Sequence, residues 1–547
     1  MPLGNRRGPL LLVLFLALLA SVTSLGNRFA LDDLPIVLEN TRVHSLAPPW
    51  AYLSQTYWPP ERGPALYRPL TILGFAIQWA LGGGAPIVFH LANVLLYLAV
   101  CLAVFWLADS LLPRPSALIA ALLFAVHPVH VEAVGNVVGQ PELVVALLLS
   151  LAVGIFVRAR KEGPLTTRHG IALAGLYGLS LMAKEHAVVL PGLLVLAELL
   201  VVDDSTGARP RMERLVPALL AQLAVLVAFW TVRTTVTGGL VGRDWHPAFR
   251  TGDTSIRIWT ALGVVPEWLR LLFFPAHLSA DYNPQQIPVG TGFGPRQLLG
   301  VLVLALLAGV VLSAWRRRPV VAFGILWAGG ALFPVSNLLL PTGIFLAERT
   351  LFLPSIGAVL AVGAGLAPFL AQWDSWTRRK RRLGVALLCV VLLAGETRSA
   401  LRQPVWRDNP ALFVQTARDA PRSYRARAAY AVMLIEAGNE ADGEDEYRAA
   451  LRLYRDDPNL FADLGNWYVG KQRFSDALEM YSRVLELVPD HWTATSRSIL
   501  CLIQLKRLDE ARRLAQVAAR RGDEGAAAKL ALVDSLLVRQ IPVPPSR

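Results

Sequence analysis

Ala30-Leu31-Asp32-Asp33-Leu34 sets two adjacent carboxylates just beyond the first long apolar run of the chain. Side by side near a bilayer they repel, so one gains affinity for a proton and becomes a candidate general base, or the two share a cation; the bland alternative is a pair of solvated loop acids. His127-Pro128-Val129-His130-Val131-Glu132 brings two imidazoles three residues apart next to a carboxylate, a pattern that suits a metal, a sugar or a phosphate, or histidines that only hydrogen-bond at an interface. Lys184-Glu185-His186 is flanked by apolar residues on both sides, where the Lys and Glu either pair with each other or meet a phosphate and an acceptor hydroxyl. Glu348-Arg349 follows an apolar stretch; a guanidinium there binds a lipid-linked phosphate through two donors at once, or simply anchors a helix end.

The elements that must position these groups are membrane helices. Of 547 residues 54% are hydrophobic and 17% charged, a composition that excludes a single soluble domain. Apolar runs cover about residues 10–25, 86–108, 114–126, 142–157, 171–183, 186–202, 215–232, 297–314, 320–340, 351–371 and 383–396, eleven segments if each is a span. The charge is +13 in total, and the surplus lies in the first 400 residues, with 31 Lys and Arg against 20 acids, whereas residues 401–547 carry 22 against 20. Alternation of the eleven segments puts the clusters Arg6/Arg7, Arg158/Arg160/Lys161, Arg209/Arg211/Arg214, Arg316 to Arg318 and Arg378 to Arg382 on one side, the cytoplasmic one by the positive-inside rule. Residues 68–82 and 256–274 then read as helices lying in the interface, and the four motifs above fall on the opposite side, away from the cytoplasm. Arg6 and Arg7 ahead of an apolar stretch also fit a cleaved signal peptide, which would leave the remaining topology unchanged. Cys101, Cys389 and Cys501 are too far apart for a disulfide framework or a CxxC zinc site.

From Pro458 the chain runs PNLFADLGNWYVGKQRFSDALEMYSRVLELVPD, with Phe461, Leu464, Gly465, Tyr468, Ala477, Tyr481 and Pro489 at the offsets of a tetratricopeptide repeat. Shifts of 34 residues bring Ala511 into register with Ala477, Ala431 with Gly465 and Tyr447 with Tyr481, giving about three repeats. The domains expected are therefore 1–400, in the membrane, and 401–547, a docking solenoid with no chemistry of its own.

Taken in order, ALDDLPIV, LYRPLTILGF, FHLANVLLYL, LFAVHPVHVEAVGNVVGQPELV, LMAKEHAVVLPGLL, HLSADYNPQQIP and NLLLPTGIFLAERTLFLPSIG, with the repeats behind them, resemble the transmembrane and tetratricopeptide-repeat O-mannosyltransferases of the GT-C superfamily. The fold this implies is all-α: a polytopic membrane helix bundle of GT-C type, about eleven spans plus interfacial helices, followed by an extracytoplasmic α-solenoid. The function it implies is transfer of a hexose, mannose in that family, from a polyprenyl-phosphate donor to Ser or Thr of exported proteins held by the repeats. An acid in the first outer loop acts as base with inversion at the anomeric carbon, and Asp32 and Asp33 occupy that position. Arg68, His127, His130, Glu132, Lys184, Glu185, Glu348 and Arg349 match the family's motif positions and are expected around the donor phosphate and substrates. The paired carboxylates also admit a divalent metal ion as cofactor. The 47 Arg against 6 Lys and the brief repeat domain favour a bacterial homologue, in an inner membrane with its site on the periplasmic side; a eukaryotic one would face the lumen of the endoplasmic reticulum. A GT-C enzyme with a glycan or lipid acceptor, and a membrane scaffold without catalysis, are the competing readings. No nucleic-acid partner is expected, because the basic residues come as short clusters between apolar segments.

Overall fold

The computed structural model describes residues 7–59, 66–202, 208–239, 247–249, 253–339 and 341–540. Arg6 and the side chain of Arg209, both in expected basic clusters, lie outside the described residues. The described chain is helical with no β-strand and forms two compact units, Met1–Ala420 and Pro421–Arg547.

In the first unit each of the eleven apolar runs forms a helix, and the chain is a multi-pass membrane protein. Seven of these helical stretches are long and apolar enough to cross a membrane: Arg7–Gly26, Pro86–Leu111, Val137–Glu162, Pro210–Thr237, Pro295–Arg317, Glu348–Ala371 and Arg378–Trp406. An eighth arises if Arg114–Ala125 and Pro128–Gly135, bent by 48° at their junction, make one broken span. The other three runs give shorter helices, Thr167–Ala183, Leu190–Leu200 and Pro319–Leu332, so by length the count of spans is seven or eight where eleven were expected. The shortening has local causes. Lys184 is extended, with φ −162° and ψ 140°, and stops the helix before it; Pro191 lies in the first turn of the next, and Pro334 follows the third. The two segments read as interfacial are the helices Pro69–Gly82 and Thr254–Phe273, neither of which is among the spanning set.

The core of this unit is aliphatic and aromatic packing between helices, with Phe124, Leu149, Phe156, Trp327 and Phe352 buried in one cluster. Pro319–Leu332 and Phe352–Ala371 touch backbone to backbone at Gly324 and Gly357: a Cβ on either glycine would sit 2.4 Å from the other's carbonyl oxygen, so no side chain fits there. Trp327 closes the same contact by donating Nε1–H to the Leu353 carbonyl at 3.0 Å. Arg160, in one of the expected cytoplasmic basic clusters, is buried in a two-bond ion pair with Glu198.

In the second unit three helix pairs and a final helix succeed one another: Tyr424–Glu436 with Glu440–Leu453, Pro458–Gly470 with Phe474–Leu487, Trp492–Gln504 with Leu508–Arg520, then Glu524–Gln540. Gly438, Gln472 and Lys506, 34 residues apart, each take a positive φ (87°, 59° and 58°) in the turn inside a pair, the repeat written in the backbone. Ala431, Tyr447, Ala477, Tyr481 and Ala511 are all buried, as the register required, and a Cβ at Gly465 would collide with the Tyr481 ring at 2.9 Å.

Candidate functional site

Residues from six separate stretches line a cavity of about 850 Å³ in the first unit. Its polar lining residues include Asp32, Arg68, Lys184, Glu185, His186, Arg233 and Arg349; its apolar ones include Val188, Leu193, Leu196, Trp230 and Phe333. Of the residues expected from sequence, Asp32, Arg68, Lys184, Glu185 and Arg349 thus share one space.

Asp32 is placed by an unusual local backbone. Leu31 takes φ +52°, and its N–H donates to Asn409 Oδ1 at 2.7 Å, while Arg28 N–H donates to the Arg407 carbonyl, so residues 407–409 hold the loop that carries the aspartate. The Asp32 carboxylate is half-buried and has no hydrogen bond or ion pair to any described residue, which leaves it able to accept a proton.

Asp33 does a different job. Its carboxylate is 1% exposed and accepts the N–H groups of Ala30 at 3.1 Å, Val138 at 2.9 Å and Val137 at 3.4 Å, tying the loop to the turn before the helix Gln140–Glu162. Burial pushes its pKa up from 3.8 to about 7; the three amides oppose the rise and the neighbouring Asp32 adds to it. Between about pH 4 and pH 7 the folded chain therefore holds a proton at Asp33 that the unfolded chain has lost, so the contribution of this group to stability is full below the unfolded value and falls as pH rises to 7. Thermal unfolding in detergent should show that downward slope in the native chain, and Asp33→Asn should flatten it; an unchanged slope in the variant would show that other groups produce it.

Three cations of the site, Arg68, Lys184 and Arg349, are each paired with an acid. Arg68 donates Nε–H and Nη2–H to one oxygen of Glu185, at 3.1 and 3.0 Å, and its guanidinium lies 4.9 Å from the centre of the Tyr57 ring. Burial would raise the Glu185 pKa, but Arg68 outweighs it and holds the carboxylate below its usual range. Lys184 is ion-paired with Glu142, and His186 Nε2 sits 3.4 Å from the other Glu142 oxygen. Burial lowers the Lys184 pKa against the opposing pull of Glu142, with Arg68 and Arg349 adding to the fall. Arg349 donates to Glu132 from Nη1 at 2.5 Å and from its backbone N–H at 2.9 Å. Arg233, on the helix Ala208–Thr237, also lines the cavity and lies over the Trp230 ring at 5.1 Å.

The remaining expected residues, Asp33, His127, His130, Glu132 and Glu348, do not line the cavity. His127 Nε2 is 2.9 Å from the Leu272 carbonyl and Nδ1 accepts from Val129 N–H, so both ring nitrogens serve the backbone. His130 is enclosed by Phe124 and Phe352 and bonds to Tyr97 and Ser355. Glu348 accepts from Ser279 N–H and Tyr282 O–H, both at 2.6 Å. Among the described residues no group of three or more His, Cys, Asp or Glu is arranged to hold a metal ion. Sequence reasoning left Tyr57, Glu142, His186 and Arg233 out of the site. For Arg233 a signal existed, an arginine directly following the apolar run 215–232.

The tetratricopeptide-repeat family matches residues 463–533. Across most of the chain the relatives found are protein O-mannosyl-transferases: TMTC3 of Homo sapiens, 24% identical over 85% of this chain and 53% of its own length; Tmtc3 of Drosophila melanogaster, 26% over 84% and 56%; and TMTC4 of Mus musculus, 26% over 81% and 65%. The chain spans about half the length of the first of these. Among solved structures, an oligosaccharyltransferase from Archaeoglobus fulgidus, tethered with an acceptor peptide, matches at 13% identity with a TM-score of 0.40, covering 82% of this chain and 59% of its own. Over most of its length, then, the chain is similar to protein O-mannosyl-transferases at 24–26% identity, and its C-terminal part matches the tetratricopeptide-repeat family.

Proposed function

We propose that this protein is a membrane glycosyltransferase of GT-C type that moves a hexose, mannose by its relatives' names, from a polyprenyl-phosphate donor to Ser or Thr hydroxyls of exported proteins. The observation that carries the reading is one cavity in which a carboxylate without a partner faces a wall of braced cations, beside an apolar wall. Asp32 takes the proton of the acceptor hydroxyl as its oxygen attacks the anomeric carbon; the bond from that carbon to the phosphate oxygen breaks, with inversion, and polyprenyl phosphate leaves. Arg349, Lys184 and Arg68 stabilise the charge that develops on the leaving phosphate. Their carboxylate partners fix them in place beforehand, so little reorganisation is needed when that charge appears. Asp33 positions the Asp32 loop. His127, His130 and Glu348 hold the cavity walls together. The donor's tail lies along Leu193, Leu196 and Trp230, and the site faces away from the cytoplasm, opposite the basic clusters. The repeats hold the protein acceptor.

Membranes from cells expressing the chain, given radiolabelled polyprenyl-phosphate mannose, should put label into protein. Label in a glycan or lipid instead would move the acceptor assignment, and no transfer with any polyprenyl-phosphate sugar would leave the scaffold reading.

Arg233 stands where the phosphate of a donor with its tail in the apolar wall would lie. A hydrogen bond to a charged group contributes roughly 1.5–3 kcal/mol, so Arg233→Ala should raise the KM for the lipid donor by about tenfold or more while the KM for the acceptor stays put. Equal donor KM values in native and variant would remove Arg233 from the donor site.

A further inference from the structure

The second unit carries a cleft of about 450 Å³, within the ~300–1,000 Å³ range of ligand-sized sites. Three helices from consecutive repeats build it, Glu440–Leu453, Pro458–Gly470, which supplies Phe461, and Phe474–Leu487. Along Glu440–Leu453 and just past its end, Arg448, Arg452 and Arg455 follow at steps of four and three, a single basic stripe; along Phe474–Leu487, Glu479, Arg483 and Glu486 repeat the same spacing. Leu451, buried Phe461 and Leu487, which is 38% exposed, supply the apolar surface between them.

The charges are unevenly satisfied. Arg448 pairs with Glu444, which also accepts from Arg473 and Tyr468, and Arg483 pairs with Glu486. Arg452 and Arg455 are exposed and carry no hydrogen bond or ion pair to any described residue. Glu479, exposed and likewise with no hydrogen bond or ion pair to any described residue, lines the same cleft, but the four arginines outnumber its two glutamates. Two exposed guanidiniums beside apolar side chains complement carboxylates spaced along a peptide that also offers an apolar side chain.

We propose that this cleft is a docking site for an acidic, apolar-interleaved peptide segment of a protein partner, recognised by Arg452 and Arg455 and seated on Phe461 and Leu487. The proposal deepens the reading of the repeats as the part that holds a protein acceptor: segments rich in Glu or Asp would be delivered in preference to neutral or basic ones. Because docking is read as binding, with no transfer step, its failure is distinct from failure of the glycosyltransferase reading.

The test uses the full chain in an uncharged detergent and a fluorescein-labelled peptide of alternating Glu and Leu, followed by anisotropy, with Gln-Leu and Lys-Leu peptides of equal length beside it. The Glu-Leu peptide should bind at least about tenfold tighter than the other two, and added salt should weaken it. Arg452→Glu with Arg455→Glu should cost about tenfold or more in affinity; both residues are exposed, so the fold is expected to survive, and an unchanged thermal midpoint checks this. Arg513→Glu with Arg520→Glu makes the same charge change on exposed arginines outside the cleft and should alter affinity by less than about threefold. Failure of the native chain to bind the Glu-Leu peptide, equal binding of the Gln-Leu peptide, or equal weakening by the two double variants would each overturn the proposal, the last by reducing it to attraction by net charge.

Discussion

With Asp32 as the proposed base, Asp32→Asn should lower sugar transfer by about 10²–10⁴-fold while membrane insertion, abundance and thermal midpoint stay native, because general-base catalysis is worth about that much and the carboxylate bonds to none of the described residues. The asparagine keeps the shape of the side chain and cannot take a proton, so donor KM should hold and kcat should fall. Asp33→Asn behaves oppositely. Three backbone amides that met a carboxylate meet an amide group with a single acceptor oxygen, and the loss, on the order of 1–3 kcal/mol, appears first in stability and reaches transfer only through a loosened loop. A fall in transfer that tracks abundance in both variants would remove Asp32 from the base role. A large fall for Asp33→Asn at native stability would move the role to its neighbour.

That division between two adjacent aspartates could not be read from the sequence, since it depends on where residues 137 and 138 fold back to meet them. What was legible was periodic or compositional. The repeats announced themselves because each 34-residue unit must bury the same small and aromatic positions against its neighbour, and the backbone honours this down to the positive φ at Gly438, Gln472 and Lys506. The helices were legible as apolar runs. Their lengths were not, because an extended Lys184 and helix-ending prolines are local events that a count of apolar residues passes over. The motif acids and bases were found, yet their partners lie far away in the chain: Arg68 meets Glu185, Lys184 meets Glu142, and Arg349 meets Glu132 across 217 positions. Spacing of three between His127 and His130 suggested a ligand pair, and the fold spends all four nitrogens on internal hydrogen bonds. Arg233 escaped notice because one charge barely changes the hydropathy of a long apolar helix.

The Arg349 and Glu132 pair separates bracing from chemistry by a double-mutant cycle. Glu132 is 1% exposed and its two oxygens are taken by the side chain and the backbone N–H of Arg349. Arg349→Met strands that carboxylate, and breaking a buried pair from one side costs roughly 3–5 kcal/mol, enough to lower the thermal midpoint and abundance sharply. Adding Glu132→Gln removes the stranded charge while leaving a carbonyl to accept the backbone N–H, so the double variant should recover most of that stability. On the proposed role of Arg349 at the leaving phosphate, transfer should not recover with it, and a deficit of about 10²-fold or more in kcat should persist at near-native abundance. Glu132→Gln alone keeps the guanidinium but frees it to move, which should cost less in transfer than the double variant. If the double variant regains transfer along with stability, Arg349 is a brace for the cavity wall, and charge on the leaving phosphate falls to Lys184, Arg68 and Arg233.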